Sequence, residues 1–382
     1  MSLIHPLPHL AQARIATYTL FFICGVLLAA WVSRIPAIKA HLGLETGELG
    51  LVLLGGPLGL VSAMPLTGAA LARLGSRRVV TAASLACALA LPLLAWAPNG
   101  WALALALFLF GFFNAAMDIS MNAQAVEVER QQGKPIMSSF HALFSLGGLI
   151  GAALGGGAAA VGLGPAGFFS LVALGSILWL AWATRVLLPT PPSPPGPLFV
   201  WPRGVLLGLG LIVFCTGLGE GAVGDWSAVF MRQELGSSEA VAALAFSAFS
   251  VAMVVGRLSG DWLNERFGAV WLGRVGGVLA AAGFGVTLLS SHPQGAMLGF
   301  VLVGLGYCTL FPLAFSAAGN TPGISPGLAL ASVATLGYLG FLVGPPLIGL
   351  VAHVSSLRVS FALVALLALL ISWMAGLLRP RA

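Results

Sequence analysis

The sequence predicts an all-α membrane protein with twelve transmembrane helices arranged as two six-helix halves. Two observations carry this prediction. The chain is 59% hydrophobic and only 7% charged, far below the roughly 25% charged residues of soluble domains. Its apolar segments are also long enough to cross a bilayer, which requires about 20 consecutive apolar residues.

The apolar segments are separated by short polar loops that leave no room for an independent soluble domain. The predicted spans cover 14–33, 47–72, 78–97, 101–124, 137–160, 166–188, 203–224, 239–263, 271–290, 296–318, 327–350 and 358–378. The first span is not expected to be a cleavable signal, because it is too long and has no charged residue before Arg14. Cysteines 24, 87, 215 and 308 lie inside spans and are expected to be buried small hydrophobes.

An internal repeat relates the two sets of six spans. A shift of 193 positions places Gly43 on Gly236 and Gly75 on Gly268, and it also superposes Gly147, Gly151 and Gly156 on Gly340, Gly344 and Gly349. A proline-rich segment, 189–202, separates the sets and cannot be helical. The predicted organisation is therefore an N-terminal bundle at 1–188, a cytoplasmic linker at 189–202 and a C-terminal bundle at 203–382.

The basic residues predict the orientation, since cytoplasmic loops carry an excess of Lys and Arg. Thirteen basic residues lie on the side of the chain ends, against four on the other side: Arg34, Lys39, Arg232 and Arg358. Both termini are therefore expected in the cytoplasm, and a bacterial inner membrane is the expected location. The formal charge of +6 is explained by this asymmetry, and nucleic acid is not an expected partner.

Two six-helix halves related by a parallel repeat are typical of secondary transporters. The loop between spans two and three, running from Gly68 through Ala72, Arg73 and Gly75 to Arg77-Arg78, resembles the cytoplasmic signature of the major facilitator superfamily. That signature has an acid where this chain has Ala72. The second half keeps an acid in Glu265-Arg266-Phe267-Gly268, and has Asp261 at the position of Gly68. The resemblance implies a carrier that works by alternating access.

Four further stretches narrow the resemblance to a bacterial subgroup similar to the fucose permeases, which are proton-coupled sugar importers with acids in spans one and four. These stretches are 31–36, 114–122, 140–148 and 220–227. Asp118 matches the fourth-span acid, whereas the first span has no acid. The resemblance implies proton-coupled uptake of a small polar or amphipathic solute. Efflux of drugs or metabolites by proton antiport is the alternative, because 147–156 resembles the fifth-span motif of drug–proton antiporters with Ala152 in place of its proline.

An enzyme is not expected, because the six histidines form no nucleophile–base or metal-ligand pattern. A channel is disfavoured, since only three acids lie near the interior of the spans. No cofactor and no metal are predicted. The expected partners are the small-molecule solute, protons and the lipid bilayer, and the protein is expected to be a monomer.

Acids inside spans are the candidate proton-coupling residues, because a charge in a membrane costs at least about 2.5–3.5 kcal/mol and therefore needs a reason. The candidates are Asp118, with His141 as its partner, and Glu220. Asn114, Asp118 and Asn122 share one helix face by their spacing of four residues. The aromatic repeat positions Tyr307 and Phe311, together with Tyr338, complete a predicted substrate cavity. The simpler interpretation of the polar stripe is hydrogen bonding between helices.

Charged residues at the two ends of the spans are candidate gates. An outer gate is predicted from Arg34 with Glu220 or Asp225. A cytoplasmic gate is predicted from ion pairs among Arg73, Arg77, Arg257, Asp261, Glu265 and Arg266. Glu127 or Glu129 are alternative partners for Arg73 or Arg77. The simpler interpretation of each basic residue is topological anchoring.

Overall fold

A computed structural model describes residues 8–190 and 201–379 of the chain, and no strand occurs within those ranges. Twelve helical spans of the described chain are long and apolar enough to cross a membrane, as the sequence predicts. The helices are α1 (Pro8–Leu42), α2 (Thr46–Leu53), α3 (Gly55–Leu74), α4 (Ser76–Trp96), α5 (Gly100–Gln132), α6 (Met137–Ala160), α7 (Pro165–Val186), α8 (Val205–Gln233), α9 (Glu239–Phe267), α10 (Ala269–Leu289), α11 (Pro293–Tyr307), α12 (Leu310–Gly319), α13 (Pro326–Val354) and α14 (Leu357–Met374), followed by a 3₁₀ turn at Ala375–Leu378.

Two predicted spans are each built from two helices. The second span divides into α2 and α3 at Leu54, and the tenth divides into α11 and α12 at Cys308-Thr309. Pro312 explains the second break. A continuous helix would bond the Cys308 carbonyl to the amide of residue 312, and proline has no amide hydrogen to donate. The Cys308 carbonyl is thus left for another donor.

The chain divides into two compact units. Unit 1 comprises Met1–Lys134, Phe140–Val200 and Ser325–Ala331, and unit 2 comprises Pro135–Ser139, Trp201–Ile324 and Ser332–Ala382. Two short segments therefore depart from the division predicted at 189–202: the start of α13 groups with unit 1, and the start of α6 groups with unit 2. Residues 191–200, which form the proline-rich centre of the predicted linker, lie outside the described residues.

Equivalent glycines of the repeat have the same backbone conformation. Gly75 ends α3 with φ 77° and ψ 159°, and Gly268 ends α9 with φ 80° and ψ 157°. Gly43 and Gly236 likewise have φ values of 63° and 62°. Left-handed values of φ are energetically unfavourable for residues that have a Cβ atom, but not for glycine. The match shows that the 193-residue shift relates equivalent turns.

Small residues let the helices of each unit pack closely, as is usual between membrane helices. In unit 1, a Cβ at Gly147 of α6 would collide with the Phe22 carbonyl of α1. In unit 2, a Cβ at Gly340 of α13 would collide with the Phe214 carbonyl of α8. Large apolar side chains such as Trp101 and Trp373 are exposed, as expected for a surface that faces lipid.

Candidate functional site: two buried polar clusters

The polar stripe of α5 forms a hydrogen-bonded cluster inside unit 1. The Asn122 side-chain amide donates to the Asp118 backbone carbonyl at 2.9 Å and lies 3.4 Å from Asp118 Oδ1. The Asn122 Oδ1 atom is 3.2 Å from His141 Nε2, on α6. Because the Asn122 NH₂ group faces oxygens of Asp118, its Oδ1 faces the imidazole, and His141 must donate through Nε2. Asp118 and His141 are therefore both held by Asn122.

Asn114, one turn before Asp118, has weaker partners. Its amide nitrogen lies 3.6 Å from Cys24 Sγ and 3.9 Å from Cys87 Sγ. Sulfur is a weak acceptor, and an amide donor gains more from an oxygen. Asn114 is half-buried, whereas Asn122 is fully buried. The amide of Asn114 is thus the group of this stripe best suited to a polar solute.

Unit 2 contains a buried ion pair. Arg257 Nη2 of α9 lies 3.7 Å from Glu220 Oε1 of α8, and the two side chains are 9% and 15% exposed. Arg257 Nε also donates to the Cys308 carbonyl at 3.3 Å, which is the carbonyl that Pro312 leaves without an amide donor. The helix break therefore provides a second partner for a cation inside the membrane span.

Two polar atoms in the same region of unit 2 form no hydrogen bond within the described chain. One is Glu220 Oε1, which has the Arg257 guanidinium 3.7 Å away, and the other is the hydroxyl of the fully buried Tyr307. Leaving a buried polar group unsatisfied costs about 1–3 kcal/mol. Such groups are uncommon in native proteins and need an explanation, and a ligand or a proton is one.

The aromatic residues of the predicted cavity differ in accessibility. Tyr307 is fully buried and packs near Phe284, with ring centroids 6.4 Å apart. Phe311 is half-buried and stacks on Phe341 at 6.0 Å, and Tyr338 is also half-buried. Stacking on a solute is open to Phe311 and Tyr338, whereas Tyr307 has no accessible ring face in this structure.

The ion pair of Glu220 differs from the predicted one. The sequence pairs Glu220 with Arg34 as an outer gate, but in the structure Glu220 pairs with Arg257 of its own unit. Arg34 donates to the carbonyls of Gly155 and Leu163, and Asp225 is exposed. Sequence spacing alone could not reveal that Pro312 frees a carbonyl for Arg257, although the proline itself is a visible signal.

The predicted cytoplasmic gate residues are also spread over several contacts. Arg257 lies in the buried cluster and not at the end of α9. Asp261 accepts two hydrogen bonds from the backbone amide of Ser139, each 3.2 Å long, at the start of α6. Both Ser139 and Asp261 belong to unit 2. Arg266 lies over the rings of Trp262 and Phe267 at 5.7 and 5.6 Å, and Glu265 is exposed.

In unit 1 the gate arginines have other roles. Arg77 donates to the carbonyls of Thr184 and Arg185 at 3.2 and 2.8 Å, so it satisfies the end of α7. Arg73 is exposed. Glu127, an alternative partner for these arginines, pairs instead with Arg130 at 3.2 Å.

A polar network that the sequence analysis missed lies at the same end of unit 1. Gln124 donates from its side-chain amide to Ser76 Oγ and to the Leu188 carbonyl, both at 2.9 Å. The Ser76 amide donates to Thr190 Oγ1 at 2.7 Å. The residues just before 191 are thereby fixed to α4 and α5. Gln124 lies at the predicted end of its span, where polar residues are common, so the sequence does not mark it as a functional residue.

Comparison with known proteins identifies the architecture. The family model of the Major Facilitator Superfamily matches residues 13–206 and 209–382. The chain belongs to the major facilitator superfamily. It is 40% identical over 369 residues to an uncharacterised MFS-type transporter of Yersinia pestis, a match that covers 96% of this chain and 95% of the relative.

Solved structures of other superfamily members share the fold. The proton:xylose symporter XylE superposes with a TM-score of 0.80 at 14% identity, covering 96% of this chain and 94% of XylE. The E. coli fucose:proton symporter FucP superposes with a TM-score of 0.76 at 14% identity, covering 96% and 98%. The predicted fold and superfamily are confirmed. The protein is an integral, multi-pass membrane protein of a transporter superfamily whose members are generally not enzymes, and the family implies a small-molecule solute.

Proposed function

We propose that this superfamily member is a proton-coupled secondary transporter that moves a small polar or amphipathic solute by alternating access. Uptake across a bacterial inner membrane, with both termini cytoplasmic, is the favoured direction. The observation that carries the proposal is the contact of the half-buried Asp118 with Asn122, which in turn contacts His141, the last two being buried.

Asp118 is the proposed proton carrier. It lies near the middle of a 33-residue helix, where a carboxylate charge is costly. Binding a proton removes that charge and turns the carboxyl into a hydrogen-bond donor. Because Asn122 contacts both side chains, it fixes the orientation of Asp118 relative to His141. His141 adds a second side chain that can donate or accept a proton through its ring nitrogens.

Glu220 has a different proposed part. A proton on Glu220 would remove the negative partner that faces Arg257. Such a change would release the guanidinium toward another acceptor, whereas protonation of Asp118 neutralises a charge directly. Glu220 is therefore proposed as a switch of an ion pair, and as the next candidate for proton coupling if Asp118 is not the carrier.

The solute is proposed to contact the polar face of α5 and the aromatic rings of the predicted cavity. Asn114 supplies an amide whose present partners are only sulfur atoms. Phe311 and Tyr338 supply rings that can stack on an apolar face of the solute. A polar or amphipathic molecule satisfies both kinds of group.

The test compares proton-driven transport with exchange in one preparation of proteoliposomes. A solute chosen by a thermal-shift screen of metabolites is followed in wild type, Asp118→Asn and Glu127→Gln. Asparagine mimics the protonated carboxyl, so uptake driven by a pH gradient should fall at least tenfold. Exchange between equal solute pools should persist, because it needs no deprotonation.

Glu127→Gln is the matched control, since it removes an acid from the same helix whose contacts, with Arg130 and Gln131, are local. Its driven uptake should equal that of wild type. Driven uptake of wild-type strength in Asp118→Asn would end the assignment of Asp118. Solute accumulation only when the pH gradient is reversed would favour antiport efflux.

A further inference from the structure

A pocket of about 280 Å³ lies in unit 1, away from the polar clusters. It is formed by the last third of α1 and by the loop that joins α6 to α7. Its lining includes Ser33, Arg34, Ala37, Gly162, Leu163 and Gly164. The pocket is large enough to hold a small polar group.

Arg34 is the charged residue of this pocket, and it is only 5% exposed. Its Nη1 donates to the Gly155 carbonyl at 3.2 Å and its Nη2 to the Leu163 carbonyl at 2.8 Å. Its Nε is buried with no hydrogen-bond partner, and no ion pair of Arg34 occurs in the described chain. Two neutral carbonyls hold the guanidinium in place but do not neutralise it. A buried cation is stabilised by an anion, and that anion is not supplied by the described residues.

The start of α7 adds a second source of positive potential to the same pocket. Gly164 is the N-cap of this 22-residue helix, and no side chain caps it. Unpaired amides at a helix start favour anions. By contrast, two carbonyls at the end of α6 beside the pocket already accept hydrogen bonds, since Leu163 donates to Ala158 at 2.9 Å and Gly162 donates to Ala159 at 3.1 Å.

The position of the pocket suits a lipid headgroup. The predicted first span ends at residue 33, so Arg34 lies at the level where apolar core gives way to headgroups. Val32 and Val161 beside the pocket are 54% and 80% exposed, and they offer apolar surface to acyl chains. An anionic headgroup placed here would contact both Arg34 and the start of α7.

We infer that the Arg34 pocket binds an oxyanion of the phosphate class, either the phosphodiester of a phospholipid headgroup or free phosphate. The oxyanion accepts from the guanidinium and from first-turn amides of α7. It thereby ties the end of α1 to the loop between α6 and α7.

The experiment measures ligand binding by purified protein in detergent. Native mass spectrometry counts bound phosphatidylglycerol, with diacylglycerol, which lacks the phosphate, as the control lipid. Thermal unfolding with added inorganic phosphate detects a free anion. The variants are Arg34→Gln, Arg34→Lys, Ala37→Phe to fill the pocket, and Lys39→Gln as a control that removes one charge from the same helix outside the pocket lining.

Wild type and Lys39→Gln should bind phosphatidylglycerol and not diacylglycerol, and Arg34→Gln should bind it at least tenfold more weakly. Arg34→Lys should be intermediate, because it keeps the charge and loses the planar fork. Stabilisation by inorganic phosphate that depends on Arg34, without lipid retention, would assign the site to free phosphate. If Arg34→Gln does not fold, Ala37→Phe decides, since it leaves the carbonyl contacts of Arg34 in place. Ligand binding equal to wild type in Ala37→Phe, or in a folded Arg34→Gln, overturns the inference.

Discussion

The two halves of the molecule share a backbone plan but use different chemistry at equivalent positions. Gly68 near the end of α3 and Asp261 near the end of α9 are related by the 193-residue shift. A Cβ at Gly68 would meet Ala331 and Leu328 of α13 at 3.2 Å, so this contact is small and apolar. Asp261 instead binds the Ser139 amide at the start of α6. The contact of α3 with the start of α13 is thus made by close packing, whereas the contact of α9 with the start of α6 is made by a charged side chain.

The polar clusters of the two units also differ in chemistry. Unit 1 holds Asp118 and His141 through the neutral amide of Asn122, whereas unit 2 balances Glu220 against Arg257. The clusters do not lie at equivalent positions, because the 193-residue shift relates Asp118 to Phe311 and Glu220 to Leu27. The difference teaches that the repeat predicts equivalent turns and close helix contacts, but not where a helix breaks or which half carries the charge.

The largest expected effect comes from breaking the ion pair of unit 2. Glu220→Gln would leave the Arg257 guanidinium without this carboxylate, and such losses typically cost about 3–5 kcal/mol. The melting temperature of the Glu220→Gln variant in detergent should therefore fall markedly below that of wild type. The double variant Glu220→Gln with Arg257→Gln should recover most of it.

Glu234→Gln is the matched control, because Glu234 pairs with Arg358 at 2.8 Å with both side chains more exposed, at 23% and 39%. Its loss should be about 1 kcal/mol or less. Equal losses for Glu220→Gln and Glu234→Gln would show that burial does not distinguish the two pairs.

An intermediate effect is expected where Asp261 meets α6. Asp261→Asn keeps the shape and removes the charge, and a carboxylate at a helix start contributes about 0.3–1 kcal/mol. We propose that this contact helps to close the predicted cytoplasmic side. Thiol labelling of Met137→Cys, in a background with the four native cysteines replaced, should therefore accelerate about two- to fivefold. A labelling rate that is unchanged in Asp261→Asn, or that changes equally in Glu127→Gln, would show that Asp261 does not help to close the cytoplasmic side.

The smallest effect is expected at the apolar counterpart. Replacing glycine by alanine inside a helix stabilises the helix by up to about 1 kcal/mol. Gly56→Ala, in α3 like Gly68, is the comparison, because no neighbour lies within 4 Å of its new Cβ. Gly68→Ala should gain less, because its Cβ is crowded by α13. Comparing the two melting temperatures tests this, and an equal rise in both would show that Gly68 is not a packing contact.

Much of the fold follows from patterns that the membrane imposes on sequence. Apolar length predicts all twelve spans, and the 193-residue repeat relates Gly75 to Gly268, which share one positive-φ conformation in the structure. The polar stripe of α5 correctly places Asn122 beside Asp118, because a spacing of four residues on a helix leaves no alternative.

The partners across helices could not be predicted in this way. The sequence analysis pairs Glu220 with Arg34, and only the packing of α8 against α9 shows that Arg257 is its partner. The helix break at Cys308 is a second example. Pro312 indicates a bend in the helix, but the sequence does not show that Arg257 donates to the freed Cys308 carbonyl. Gln124 was missed because its partners, Ser76 and Leu188, are far apart in sequence.

Pro312 has a consequence for how this protein can change over evolutionary time. An arginine in a membrane span is tolerated here because a proline on another helix leaves the Cys308 carbonyl open to it. Restoring an ordinary residue at 312 would let the helix amide compete with Arg257 for that carbonyl. A substitution at 312 would thus act on Arg257 and, through the ion pair, on Glu220, although the proline itself carries no charge.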